Sequence, residues 1–276
     1  WQRDGTNLPN GGSISGATSS TLTINPVQPT DATDAGHGYT CVVNGTCAPA
    51  AVSSEALLSV LPLNRWRGDG AANQWNFSAA NWFYGPYADG VTTIFDDAGS
   101  NNVPVNITTA VAPGLMLVAS TGSYTFSGSG SISGSASLTK TNIGVLRLAT
   151  SNSFTGNAFV LDGVLAVQHN QALGSTAGVT TVSNRGSVRI EGNGLLIAEP
   201  LTCLEPLYTD LTGFPTNSLL DNLANTNTWS GAITMGLTGE NAPIKSSSGQ
   251  LVLDSPTPIA GPGTLMLTGD GTTLVR

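Results

Sequence analysis

A short frame recurs through the later part of this chain and constrains its fold more than any other feature. The frame is Gly-x-φ-x-φ, in which φ is apolar or aromatic, and its central copies lie about 19 to 23 residues apart. That interval is the length of one solenoid coil rather than of a sandwich hairpin. Stacked coils bury the φ residues in continuous internal columns, which a single coil cannot do. The copies are Gly122–Phe126, Gly144–Leu148, Gly163–Val167, Gly186–Ile190, Gly249–Leu253 and Gly263–Leu267.

Alternation within the frame predicts which side chains face the core, because residues two apart along a strand lie on the same face. Arg147 and Arg189 hold the outward position of their frames, so we expect them in one column, two strand spacings or roughly 9.6 Å apart. A charge there discourages lateral association of the sheet. The alternative is a contact with an anionic glycan. The predicted inward residues are Leu146, Leu148, Leu165, Val167, Val188 and Ile190.

The first sixty residues differ from the rest of the chain. Ser20–Ile24 alternates like a half-buried strand. Tyr39 stands two residues before Cys41 and follows an Asp-Ala-Gly sequence, an arrangement similar to the tyrosine corner of an immunoglobulin-like domain. In such a domain Trp1 would be the core tryptophan of the third strand. We therefore expect the preceding strands to lie outside this sequence or to come from another chain.

These patterns together predict an all-β chain with two parts. The first is a partial immunoglobulin-like sandwich over residues 1–60, followed by a linker over 61–64. The second, over residues 65–276, is a right-handed parallel β-helix that begins with a Trp-rich cap. Because three prolines interrupt the repeat pattern, we expect an irregular insertion around 201–227.

The second part resembles a known family. Its residues are similar to the autotransporter-associated β-strand repeat, and the resemblance covers most of the chain after the linker. It implies a large, exported, modular protein that is secreted or held at the cell surface. The segments that carry it are Gly128–Gly134, Ser137–Lys140, Leu146–Leu148, Asn152–Gly156, Gly163–Leu165, Ala172–Gly174, Asn227–Gly231 and Ile259–Leu265.

Composition excludes several classes of partner. Charged residues make up 9% of the chain, against about a quarter in ordinary soluble domains. The net charge is −8 with only nine Lys and Arg residues, which argues against nucleic acid because counterion release needs clustered cations. No apolar run approaches the roughly 20 residues of a membrane-spanning helix. We expect no nucleic-acid partner, no membrane span and no cofactor.

The chain has three cysteines. Cys41 and Cys47 flank Asn44-Gly45, a preferred pair for a tight hairpin turn, so a disulfide between them is one hypothesis. An ideal two-residue turn would place them out of register, and the disulfide would then require a bulge. Cys203 is expected to be a small buried apolar residue.

Three of the five tryptophans, Trp66, Trp75 and Trp82, lie near the start of the second part. One interpretation is a cap that buries them over the first coil, since the end of a solenoid needs an atypical cover. The other is a carbohydrate-binding platform, in which the aromatic rings stack on sugars and nearby polar groups bond the hydroxyls. Its polar members would be Asp69, Asn73 and Asn81.

No motif for nucleophilic catalysis or metal binding is present: neither Gly-x-Ser-x-Gly nor His-Glu-x-x-His occurs. The predicted function is a structural or adhesive module of a large secreted or cell-surface bacterial protein. It would assemble with itself or with neighbouring modules, and extracellular polysaccharide is the other partner considered. The alternative is a carbohydrate-binding or carbohydrate-active β-helix protein of lyase or hydrolase type, whose carboxylates would converge from neighbouring coils.

Overall fold

The computed structural model describes residues 1–25, 27, 31–33, 36–46, 48–58, 63–207, 217–236 and 241–276. The chain divides into two compact units, Trp1–Pro62 and Leu63–Arg276. The regular elements of the described ranges are all strands. In these same ranges, no helix has the length and apolar character needed to cross a membrane.

The N-terminal unit is built from short antiparallel pairs. In it β1 pairs with β2 and β5, β3 pairs with β4, and β6 pairs with β7. The strands described here are β1 (Gln2–Arg3), β2 (Thr6–Asn7), β3 (Ile14–Ser15), β4 (Thr23–Ile24), β5 (Tyr39–Thr40), β6 (Val42–Val43) and β7 (Ala51–Val52).

Tyr39 has the hydrogen bond that a tyrosine corner requires. Its side chain is buried, and its hydroxyl donates to the backbone carbonyl of Asp31 at 3.1 Å. A buried hydroxyl needs such a partner. The short strand pairs do not by themselves define a sandwich, so the immunoglobulin-like assignment stays a prediction.

The hairpin between β6 and β7 is wider than the sequence predicts. Its register pairs Val42 with Val52 and Val43 with Ala51, so the connection runs over residues 44–50. A tight turn at Asn44-Gly45 is therefore wrong, because it would pair Val43 with a residue much closer in sequence. Cys47 lies outside the described residues, and its disulfide with Cys41 stays a prediction.

The second unit is a parallel β-solenoid of about seven turns, as the frame spacing predicts. Its strands are β8 (Leu63–Arg65), β9 (Gln74–Trp75), β10 (Thr92–Asp96), β11 (Val105–Ile107), β12 (Ala110–Val111), β13 (Leu115–Ala119), β14 (Tyr124–Ser127), β15 (Ser131–Ile132), β16 (Ser137–Thr141), β17 (Val145–Leu148), β18 (Ala158–Val167), β19 (Thr180–Ile190), β20 (Leu196–Ile197), β21 (Leu201–Leu207), β22 (Leu220–Asn222), β23 (Thr226–Trp229), β24 (Ile233–Met235), β25 (Asn241–Ser246), β26 (Gln250–Leu253), β27 (Thr264–Thr268) and β28 (Thr272–Val275).

Each strand of a coil pairs in parallel with its equivalent in the next coil. One ladder runs through β8, β10, β13, β16 and the start of β18, then through the start of β19 to β21 and β24. A second runs through β9, β11, β14, β17 and the end of β18, then through the end of β19 to β22, β25 and β27. Shorter ladders join β12 to β15 and connect β20, β23, β26 and β28.

The predicted inward residues form the core. Leu146, Leu165 and Val188 are register partners in successive coils, and each is fully buried. The second position of the frame behaves in the same way, since Leu148, Val167 and Ile190 are also stacked and buried. The period-two assignment of these side chains is confirmed.

The frame begins with glycine because backbones of successive coils approach closely there. A Cβ at Gly144 would lie 2.1 Å from the carbonyl oxygen of Gly122. Gly163 has a φ of +71°, and its Cβ would lie 2.4 Å from the carbonyl oxygen of Asn142. No other residue tolerates both the positive φ and the short approach.

The strand pairing bears on two of the expected boundaries. Leu63–Arg65 is already paired with β10, so the solenoid takes in the last two residues of the expected linker at 61–64. Within the expected insertion at 201–227, β21, β22 and the start of β23 are strands that pair within the ladders. A register shift between β19 and β21 follows Val182, and such irregularities accommodate a proline inside a strand. Residues 208–216, between β21 and β22, lie outside the described residues, so an irregular insertion there stays a prediction.

Candidate functional site on the outer face of the coils

The three tryptophans of the N-terminal cap lie inside the molecule. Trp66 and Trp75 are 0% exposed and Trp82 is 3% exposed. Trp75 is central, with its ring centroid 5.4 Å from that of Trp82, 5.3 Å from that of Phe95 and 5.7 Å from that of Phe126. These are the separations of packed aromatic pairs. Since Phe126 belongs to a frame copy, the cap packs directly onto the coils.

The polar residues of the predicted platform hold the cap together. Asn73 is buried, and its Oδ1 accepts the backbone N–H groups of Asp69 and Gly70, both at 2.9 Å. Asp69 in turn accepts the backbone N–H of Asn73 at 2.7 Å, and this bond together with that from Ala71 lowers the pKa of Asp69. Asn81 donates to the carbonyl of Gln74 at 3.0 Å. These groups are already occupied by the chain's own backbone.

Burial of the rings fits the cap interpretation of Trp66, Trp75 and Trp82. A sugar can stack only on a ring face that is open to solvent, so these three rings do not offer a platform as they lie here. The exposed aromatic rings near this end belong instead to Phe77, Phe83 and Tyr84. A stacking contact at the cap would have to use them.

Acidic residues of the cap do not gather into a cation site. Asp96 pairs with Arg65, with Nη2 and Oδ2 2.7 Å apart. Asp97 accepts the hydroxyl of Ser120 at 2.6 Å, the first cause of the lowered pKa of its carboxyl group. Across the ranges given above, no three His, Cys, Asp or Glu side chains form a group that could hold a metal.

The predicted arginine column is present on the outer face of the second ladder. Arg147 is the register partner of Ala166, and Ala166 is the partner of Arg189. The column continues to Asp221 in the next coil and then to Lys245. Charged side chains from coils far apart in sequence are therefore brought onto one line.

Glu191 joins the two arginines. Its Oε2 lies 2.8 Å from Nε of Arg147, and its Oε1 lies 3.8 Å from Nη1 of Arg189. Arg189 also lies 3.5 Å from Asp221, measured from Nε to Oδ2. The arginine side chains are about 30% exposed, whereas those of Glu191 and Asp221 are 10% and 7% exposed, so these ion pairs are partly buried. The network fixes where the guanidinium groups point.

A groove of about 600 Å³ opens along this column. That volume lies within the range of ligand sites, roughly 300–1,000 Å³. Three of the nine Lys and Arg residues of the chain line it, beside two carboxylates. This one face therefore concentrates cations in a chain of net charge −8. The charged lining residues are Asp162, Arg185, Arg189, Asp221 and Lys245.

Lys140 contacts the backbone of Asp162, a residue that lines this groove. It is fully buried, and its ammonium group donates to the carbonyls of Thr141 and Asp162 at 2.9 and 3.1 Å. Burial lowers the pKa of Lys140 to about 8, and the Asp162 carboxylate partly opposes the shift. No sequence motif marks this residue as a site. Its position two residues after the inward Leu138 does indicate that its side chain faces the core, because residues two apart along a strand lie on the same face.

The structure defines a class, a capped parallel β-solenoid with a charged groove across its coils. The chain is similar to the adhesin BmaC autotransporter of Brucella suis biovar 1 (strain 1330), with 29% identity over 155 residues. The match covers 46% of this chain and 4% of the relative, so the chain corresponds to a small part of that protein. No protein-family model and no solved structure matches the chain.

Proposed function

We propose that this chain is an adhesive or structural module of a large bacterial protein that is exported to the cell surface or secreted. The similarity to an autotransporter adhesin supports the location and the role. The solenoid supports them physically, because stacked coils present an extended surface whose size grows with each coil.

The observation that carries the adhesive role is the charged groove. Arg185, Arg189 and Lys245 line one concave surface, and arginine in particular pairs with carboxylates in a fixed geometry. We infer that the groove contacts an acidic polysaccharide. Clustered charge of this kind contributes more to selectivity and encounter rate than to affinity.

The alternative, a carbohydrate-active enzyme, is less well supported. The two carboxylates of the groove are engaged: Asp162 accepts the N–H of Gly163 at 2.8 Å, and Asp221 accepts the hydroxyl of Ser247 at 2.7 Å while facing Arg189. Glycoside hydrolysis requires one carboxyl group that gives a proton and a second that attacks or activates water. Two carboxylates held by their neighbours suit a binding surface better.

Association with copies of itself or with neighbouring modules is the second part of the proposal. Within the described coils, β27 stacks on β25 and β28 stacks on β26 by parallel pairing, and a coil of a neighbouring module or of a second copy can pair in the same way. Leu267, Leu274 and Val275 expose apolar side chains on these strands. Burying them against another chain would favour association.

The test is display of residues 1–276 on a non-adherent laboratory bacterium. We expect displaying cells to remain on alginate, a polymer of uronic acids, and not on uncharged dextran. They should also settle from suspension faster than control cells, which reports self-association. Cells that display the double variant Arg185→Gln and Lys245→Gln should be retained on alginate about tenfold less than cells that display the wild type. Cells that display Arg276→Gln, a change at an exposed arginine outside the groove, should be retained as well as the wild type.

Retention of the wild-type cells no greater than that of non-displaying cells would contradict adhesion. Equal retention of the groove variant and the wild type would contradict the groove as the contact surface. Unchanged settling would contradict self-association.

A further inference from the structure

A second groove, of about 400 Å³, lies between the turn that follows β18 and residues 196–199. Its lining differs from that of the charged groove, because it contains amides and hydroxyls from Asn170, Gln171, Ser175 and Thr176. Of the described residues that line it, Glu199 alone carries a titratable group. The surface is therefore polar but nearly uncharged.

Glu199 is a buried acid at the floor of this groove. It lines the groove and is 4% exposed, and in the sequence it lies between the buried Ile197 and Leu201. Among the described residues, its one side-chain hydrogen bond comes from the Thr180 hydroxyl at 3.4 Å, which is long for such a bond. A buried carboxyl group with only one long hydrogen bond destabilises the folded state unless another partner completes its hydrogen bonding.

Burial raises the pKa of Glu199 to about 8, and the Thr180 hydroxyl opposes the shift only partly. No charged side chain contributes to this shift. At neutral pH the group therefore carries a proton and acts as a hydrogen-bond donor as well as an acceptor. An uncharged partner with oxygen acceptors would suit it.

The neighbouring side chains present matching groups. Asn170 accepts the N–H of Leu196 at 3.0 Å through Oδ1, and Gln171 accepts the Ser151 hydroxyl at 2.7 Å through Oε1. Both amides therefore use their oxygen for the protein, and among the described residues their N–H groups have no acceptor, which leaves them for another partner. Leu196 adds a half-exposed apolar surface. Amide donors beside an apolar patch can bond the hydroxyls of a sugar ring and cover its C–H face.

We infer that this groove binds a short uncharged oligosaccharide, with Glu199, Asn170 and Gln171 bonded to its hydroxyls and Leu196 against its C–H face. The site is separate from the charged groove and does not depend on adhesion. Binding rather than cleavage is expected, since hydrolysis needs two carboxyl groups and the described lining supplies one.

The experiment uses the purified full chain and three uncharged probes: maltohexaose, cellohexaose and chitohexaose. Titration calorimetry at pH 6 should detect binding of at least one probe. At pH 9, where the Glu199 carboxyl loses its proton, the affinity should fall about tenfold, the loss expected for a hydrogen bond worth about 1.4 kcal/mol. Glu199→Gln should bind equally at both pH values, because the amide stays uncharged and still donates.

Two further variants separate binding from folding. Gln171→Ala should weaken the affinity several-fold, whereas Gln74→Ala, a matched change at an exposed glutamine of the cap, should not. No binding of any probe at pH 6 would overturn the site. A pH dependence in Glu199→Gln equal to that of the wild type would overturn the role of Glu199.

Urea unfolding tests the burial of Glu199 without any ligand. Its folded-state pKa of about 8 lies above the unfolded value of about 4.3, so its contribution to stability is complete below pH 4.3 and is lost as the pH rises to about 8. The wild type should lose stability over this window relative to Glu199→Gln. Parallel pH profiles of the two proteins would contradict the buried, protonated state.

Discussion

Replacing Trp75 by alanine is expected to destabilise the second unit by about 3–5 kcal/mol, the usual cost of removing a buried aromatic residue. The side chain is fully buried and packs against Trp82, Phe95 and Phe126. It therefore connects the cap to the first coils. Urea denaturation followed by far-ultraviolet circular dichroism measures the change without relying on tryptophan fluorescence.

Tyr84→Ala is the matched control, because this ring belongs to the same cap and is 65% exposed. It should change the free energy of unfolding by no more than about 0.5 kcal/mol. A loss below about 1 kcal/mol for Trp75→Ala would contradict the burial of the cap.

Leu165→Ala should cost about 2–5 kcal/mol, because it leaves a cavity in the middle of an internal column. Leu165 lies between Leu146 and Val188 in the stack and is fully buried. Leu161 lies on the same strand and is 38% exposed, so Leu161→Ala should cost much less. Equal losses for the two variants would mean that the assignment of inward and outward faces is wrong.

The sequence predicts the core well because two periods combine. The period of two along a strand places Leu165 and Ala166 on opposite faces of that strand. The coil interval places Arg147 and Arg189 in one column. Both rules depend only on strand geometry and on stacking. Where the coil interval changes, as between β19 and β22, neither rule supplies the register, so the sequence alone does not place Asp221 beside Arg189.

The two buried ionisable residues near the grooves, Lys140 and Glu199, share a pattern that is visible in the sequence. Lys140 follows Leu138 by two residues, and Glu199 lies midway between Ile197 and Leu201. Lys140 occupies a buried position of β16, whereas Glu199 lies between β20 and β21 and shares the alternating burial of Ile197 and Leu201. A charged residue at an inward position must find buried partners or lose its charge. The alternation therefore indicates a buried ionisable group at each of these two positions.

The composition of the cap does not by itself predict whether its tryptophans are buried or exposed. Clustered tryptophans with Asn and Asp are compatible with a sugar platform and with a packed cover, and the difference lies in which ring faces are exposed. Here the turn formed by Asp69 and Asn73 directs the following Trp75 into the core. Turn chemistry of this kind depends on backbone geometry, such as the positive φ of Asn73, which the sequence does not specify uniquely.

Both grooves exist only if the coils stack in the register described above, and a distance between two spin labels measures that register directly. The labels are attached at Thr125→Cys and Thr268→Cys, with Cys41→Ser, Cys47→Ser and Cys203→Ala in the background. These two positions begin and end the column Thr125, Arg147, Ala166, Arg189, Asp221, Lys245 and Thr268. Parallel stacking at the usual strand spacing predicts about 29 Å between them. Double electron–electron resonance should give a single main distance near that value, and a main distance below about 20 Å or above about 40 Å would contradict the stacked solenoid.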